Sequence, residues 1–186
     1  MASNESAAVK FVGDNPTGAQ LALINPKVSG TITLANNAQT FGGTAAQMKA
    51  AFTGGLAGTQ TGNVTISDTS GTIAATTLTD ITAQTNGTVT AAAAGITISG
   101  NTTDLTAALV TTETNAVVAN GRVFITDTSG TIAATVLSGI GNSTGGIVTV
   151  SSDNISISGT AEQITNALVT TESLVSVGNV DVTITD

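Results

Sequence analysis

The nine residues DTSGTIAAT occupy positions 68–76 and recur, letter for letter, at 127–135, a displacement of 59. The register extends from this copy in both directions. VTISD at 64–68 matches VFITD at 123–127 and VTITD at 182–186, again 59 apart. Between them GITISG at 95–100 matches NISISG at 154–159, and LTAALVTTET at 105–114 matches ITNALVTTES at 164–173. A more divergent copy, FGGTAAQMKAAFT at 41–53, resembles SGTAEQITNALVT at 158–170. Internal repetition at a fixed period is the mark of stacked coils, each burying its apolar side against the next.

Strand-like pentads start at 64, 96, 123, 155 and 182, so the steps are 32, 27, 32 and 27. Val64 and Ile66, Ile96 and Ile98, Val123 and Ile125, Ile155 and Ile157, and Val182 and Ile184 fall on one face. Ser, Thr and Phe124 fall on the other, which is the two-residue period of a strand. The intervening segments carry helical spacing at Leu105, Ala108 and Leu109, at Ile164, Ala167 and Leu168, and at Ile132, Val136 and Ile140. Thr is a poor helix former, so these helices are expected to be short and held by packing. The pattern predicts the α/β class: a parallel right-handed α/β solenoid of 27- and 32-residue coils, with the five pentads stacked as one core ladder. An all-β solenoid is the alternative. Residues 36–186 form the repeat domain. Residues 1–35 lack the pattern and read as an N-terminal arm or cap.

The nonapeptide now has a reading as a corner. Asp68 and Asp127 end a strand just before a helical stretch, where a side-chain oxygen can accept from an orphan helix N–H. Gly71 and Gly130 permit a tight turn, and Ile73-Ala74-Ala75 and Ile132-Ala133-Ala134 are expected to be the first helical turn. A calcium site is the competing reading of the Asp corners. Calcium requires six to eight oxygens. With coils about 4.8 Å apart, two coils separate Asp68 and Asp127 by on the order of 10 Å, too far to share an ion. Structural capping is therefore preferred, with no metal and no cofactor.

Composition removes several classes of function. The chain has no Cys and no His, so it lacks thiolate chemistry, disulfides, and the commonest general base and metal ligand. Four cations, Lys10, Lys27, Lys49 and Arg122, face twelve carboxylates for a net charge of −8. That balance, with no basic patch, argues against nucleic acid as a partner. No apolar run is long enough to span a bilayer, and the first residues do not form a signal peptide. Paired carboxylates could cleave glycosides, but the acids recur at equivalent corners, Asp68 with Asp127 and Glu113 with Glu172, and read as caps and solubilising charge. FGGTAAQ and TGGLAGTQTGN lack the Gly-Lys-Ser/Thr ending of a phosphate loop. No catalytic residues are expected. The Ser/Thr face reads as solvated surface or subunit interface, with ice or glycan binding as the alternative.

The units VTISDT and ITISGN, with their Ala-Ala-Leu and Ile-Ala-Ala segments, resemble Thr/Ala-rich repeats of large surface proteins and phage virion proteins of marine cyanobacteria. The resemblance covers roughly residues 38–186. It implies a non-enzymatic structural protein of a virion, such as a capsid decoration, knob or fibre component. A bacterial surface adhesin or extracellular filament subunit, located at the cell surface, is the alternative. The strand at 182–186 has no polar cap after it, so Val182 and Ile184 are expected to meet a partner. The run Leu21, Ala22, Leu23, Ile24 could supply the cover. Leu21, Leu23, Ile24, Val182 and Ile184 are thus the candidate assembly residues. The expected partners are a second copy or other virion proteins, with no membrane and with a glycan or cell-surface contact as a further option.

Overall fold

A computed structural model describes residues 7–111, 115–170 and 174–186. In chain order its elements are β1 (Val9–Lys10), α1 (Gly18–Ile24) with a 3-10 turn at Asn25–Lys27, β2 (Ile32–Thr33), β3 (Phe41–Gly43), α2 (Ala45–Phe52), β4 (Val64–Ile66), β5 (Ser70–Ala74), α3 (Ala75–Thr82) and β6 (Val89–Thr90). There follow β7 (Gly95–Gly100), α4 (Thr102–Leu109), β8 (Ala116–Val117), β9 (Arg122–Ile125), β10 (Gly130–Ala133), α5 (Ala134–Asn142), β11 (Val148–Val150), β12 (Ile155–Gly159), α6 (Ala161–Leu168), β13 (Val175–Val177) and β14 (Asp181–Ile184). The fold is mixed α/β with parallel sheets. Two compact units divide the chain, one up to Asp68 with Thr77–Ala91, the other Thr69–Thr76 with Ala92–Asp186. The division does not fall at residue 35.

In the first unit β4 lies between β3 and β6, with Phe41 opposite Val64 and Val64 opposite Val89. Phe41 and Phe52 meet edge to face, ring centroids 5.3 Å apart, and with Met48 fill the layer between sheet and α2. The N-terminal segment is built into this unit. Val9 pairs with Ile32, Ile32 bridges Leu56, and α1 packs on α2. Asn25 is buried there; its Nδ2 donates to the carbonyls of Ala50, Ala51 and Thr53, and its Oδ1 accepts from the Gly55 N–H. One side chain thus satisfies carbonyls that the end of α2 leaves without helical partners.

In the second unit five strands run in the order β13-β11-β9-β7-β5, and three in the order β10-β12-β14. One inward row of the larger sheet reads Ile73, Ile98, Val123, Val148, Val175. In the smaller sheet the row reads Ile132, Ile157, Val182.

These pairings correct the single ladder expected from the pentads. Val64 and Ile66 lie in the first unit's sheet, Ile96, Ile98, Val123 and Ile125 in the five-stranded sheet, and Ile155, Ile157, Val182 and Ile184 in the three-stranded sheet. Pentads 27 residues apart, at 96 and 123 and at 155 and 182, are neighbours; those 32 apart are not. The cause is a strand hidden inside the nonapeptide. Ser70–Ala74 and Gly130–Ala133 are extended, and the helices begin at Ala75 and Ala134, so Ile73 and Ile132 are strand residues and not a first helical turn. Gly71 and Gly130 sit at φ of 95° and 102°, a backbone region where a side chain would strain the turn into the new strand. Beyond it, Thr-Ile is β-branched and suits a pleated surface.

The nonapeptide's alanines also have a place. A Cβ on Gly100 would stand 2.9 Å from the Ala75 Cβ, and one on Gly159 would stand 3.0 Å from the Ala134 Cβ. The glycine that ends one strand and the alanine that opens the neighbouring helix are therefore a matched small pair, found twice.

Candidate functional site

The aspartates are the residues whose role the geometry defines most sharply. Each closes a corner made by a strand, a glycine and a helix. The strands β3, β7 and β12 end at Gly43, Gly100 and Gly159, and the helices α2, α4 and α6 start directly after the N-cap residues Thr44, Asn101 and Thr160. Each N-cap side chain accepts from the backbone N–H three residues on, at Gln47, Asp104 and Gln163. Gln47 and Gln163 return the bond through Oε1 to the N-cap N–H of Thr44 and Thr160, completing a capping box.

The first helical N–H of each helix is left over, and an aspartate from a later strand takes it. Asp68 Oδ2 accepts from Ala45 N at 2.6 Å, and Asp127 Oδ2 accepts from Thr102 N at 2.7 Å. Asp186 accepts from Ala161 N through both oxygens, at 3.1 and 3.2 Å. One backbone bond positions each carboxylate: Ser67, Thr126 and Thr185 donate to the carbonyls of Gly43, Gly100 and Gly159. The aspartates are helix caps, as the residue type and position suggested. The helix capped is the one 23 or 25 residues earlier, not the one that follows. A carboxylate at a helix N-terminus also meets the positive end of the peptide dipoles, which adds to the bond. By contrast, the N-cap of α5, Ala133, makes no side-chain bond.

Asp186, at the third such corner, has no place in the DTSGTIAAT comparison, because the nonapeptide occurs only twice. The signal that finds it is the pentad ending VTITD. Glu113 and Glu172 lie outside the described residues. Lys49 pairs with Asp80 at 2.7 Å on the surface.

The candidate assembly residues separate. Leu21 is fully buried in the first unit and serves its fold, Ile24 is half-buried, and Leu23 is 75% exposed. Leu21 is therefore corrected from a contact residue to a core residue. Val182 and Ile184 are 46% and 59% exposed, which corrects their place in the core ladder. They stand on β14, the last strand of its sheet, paired to β12 along one edge.

The outward row of the five-stranded sheet reads Ala74, Ser99, Phe124, Thr149, Ser176, so Phe124 interrupts the hydroxyls and a flat Thr array is not formed. Beside α4 an open groove of about 390 Å³ is lined by Thr102, Thr103, Thr106, Ala107, Thr111 and Val136. These side chains offer hydroxyls and methyls without a base to activate a nucleophile. Among the described residues no three of His, Cys, Asp or Glu come together as metal ligands, and no helix is long and apolar enough to cross a membrane. Compared with protein-family models, curated proteins and solved structures, the chain matches none.

Proposed function

We propose that the chain is a non-enzymatic structural component of a phage virion, such as a decoration, knob or fibre part, and that it works through assembly contacts. Its fold on this reading is a right-handed parallel α/β solenoid whose coils follow the strand pairings, mostly 25 residues apart as in Ile98 with Val123. The observation that carries the reading is the exposed apolar pair Val182 and Ile184 on an edge strand, at positions whose counterparts Val123 and Ile125 are 1% exposed. Soluble folds seldom leave such an edge bare, and a subunit that meets a neighbour has a use for it. The resemblance of the repeats to cyanobacterial virion and surface proteins supplies the setting. Carboxylates engaged as helix caps fit a scaffold better than a reaction centre.

Mass spectrometry of purified phage particles, with immunogold labelling in the electron microscope, tests the reading. Stoichiometric peptides from particles and label on the particle surface are the expected result. Peptides confined to the envelope or filaments of uninfected cells would replace the virion with the adhesin alternative. Turnover of a substrate by the pure chain would overturn both.

A further inference from the structure

We infer that β14 and the acidic end of the second unit form a head-to-tail docking surface whose occupant is the N-terminal unit of a second copy of this chain. The inference rests on the reading of the chain as an assembly subunit and names the contact.

The exposed layer is set apart by comparison with its counterparts. Val64, Ile66, Val123 and Ile125 are buried because β4 and β9 are paired along both edges, β4 by β3 and β6 and β9 by β7 and β11. β14 has the same alternation and is paired by β12 alone. The surrounding residues thin in the same way. Leu105 and Val118 are buried, whereas Ile164 and Val177, 59 positions later, are half-exposed. The Thr185 N–H is bonded to Gly159, so alternation along the strand turns the N–H groups of Val182 and Ile184 toward the open edge. The surface therefore offers backbone donors and acceptors beside an apolar strip, the two requirements of strand addition.

Charge selects the occupant. After Arg122 the sequence contains Asp127, Asp153, Glu162, Glu172, Asp181 and Asp186 and no cation. Lys10, Lys27 and Lys49 all lie in the first 49 residues, with only Glu5 and Asp14 opposing them. A two-fold contact of β14 with β14 would set Asp181 and Asp186 of both copies together. Contact with the N-terminal unit sets them against lysines instead. That unit has the matching parts. β1 is paired to β2 alone, and the Val9 and Phe11 N–H groups are bonded to Thr31 and Thr33, which turns the Lys10 backbone toward the free edge. Val12 beside it is 83% exposed. A heterologous contact of this kind does not close by symmetry and builds a ring or a filament.

The sequence contains no cysteine, which permits a clean test. Full-length Val12→Cys and Thr183→Cys chains, both changed at exposed sites, are mixed under mild oxidation. A mixed disulfide dimer should form at least several-fold faster than dimers of either chain alone. In sedimentation velocity the unmodified chain should associate with rising concentration and dissociate in 1 M salt, where the Debye length falls to about 3 Å. Lys10→Glu should weaken association about tenfold, and Asp181→Lys in the same chain should restore it. Ile184→Lys should abolish association with the circular dichroism spectrum unchanged. A monomer at every concentration, or Thr183→Cys chains that crosslink chiefly to one another, would overturn the head-to-tail contact. The particle proteome decides the virion reading separately.

Discussion

The strands β9 and β14 carry nearly the same five letters, VFITD and VTITD, and end in the same aspartate cap, yet one is core and the other is surface. β9 has a strand on each side, and its Val123 and Ile125 are sealed. β14 has one, and Val182 and Ile184 face outward. Alternation thus specifies which side of a strand is apolar. It says nothing about whether a neighbour is present to cover it, and in a repeating fold the neighbour supplies half of the burial.

The largest expected effect tests that difference in stability. Ile125→Ala should cost about 2–5 kcal/mol, the range for a large-to-small change in a packed core. Ile184→Ala, measured in dilute monomer, should cost less than about 1 kcal/mol, because its methyls are already half in water. Urea unfolding of the two variants side by side gives both values. Equal losses would mean that β14 is covered within the monomer.

Next comes the small pair shared by strand end and helix start. Gly100→Ala drives a Cβ against the Ala75 Cβ, with the Asp104 Cβ at 3.3 Å on the other side, and should cost about 1–3 kcal/mol by overpacking. Ala75→Gly in the same chain should return part of that loss, a coupling that a double-mutant cycle measures. The same pair of changes at Gly159 and Ala134 should couple in the same way. Additive losses at both corners would show that the contact does not set the spacing.

The caps give the smallest effect and the finest version of the comparison. Asp127→Ala removes a 2.7 Å bond at a partly covered corner and should cost about 1 kcal/mol. At the exposed corner, Asp186 makes longer bonds of 3.1 and 3.2 Å, and Asp186→Ala should cost a few tenths of a kcal/mol. Thermal melts at low salt read both. A larger loss at Asp186 would reverse the ordering of the two corners.

How far the sequence reveals this structure differs from one feature to the next. The α/β class follows from the alternation at Ile96 and Ile98 and the helical spacing of Leu105, Ala108 and Leu109, which are buried on α4. The pairing of strands does not follow. Offsets of 25, 27 and 32 residues all set Val or Ile opposite Val or Ile, so apolar matching cannot choose among them. The strand β5 was concealed because Thr72-Ile73-Ala74 precedes a helix without an N-cap residue to mark its start. Gly71, with its positive φ, was the available sign that the chain turns before Ile73 and does not enter a helix there. The aspartates were recognisable as caps, since residue type and the strand end suffice for that. Which helix they cap depends on the strand pairing, so that error descends from the first one. Asn25 beside Pro26 reads as a loop residue, and only the fold brings it beneath the end of α2.

Hydrogen exchange read at single amides tests the central claim most directly, with the chain followed from dilute solution to high concentration. The amides of Val123 and Ile125 should be protected throughout. Those of Val182 and Ile184 should exchange fast when dilute and slow as the concentration rises, while the Ala161 amide held by Asp186 changes little. Protection of Val182 and Ile184 equal to that of Val123 and Ile125 at the lowest concentration would contradict the account, as would exchange that no concentration slows.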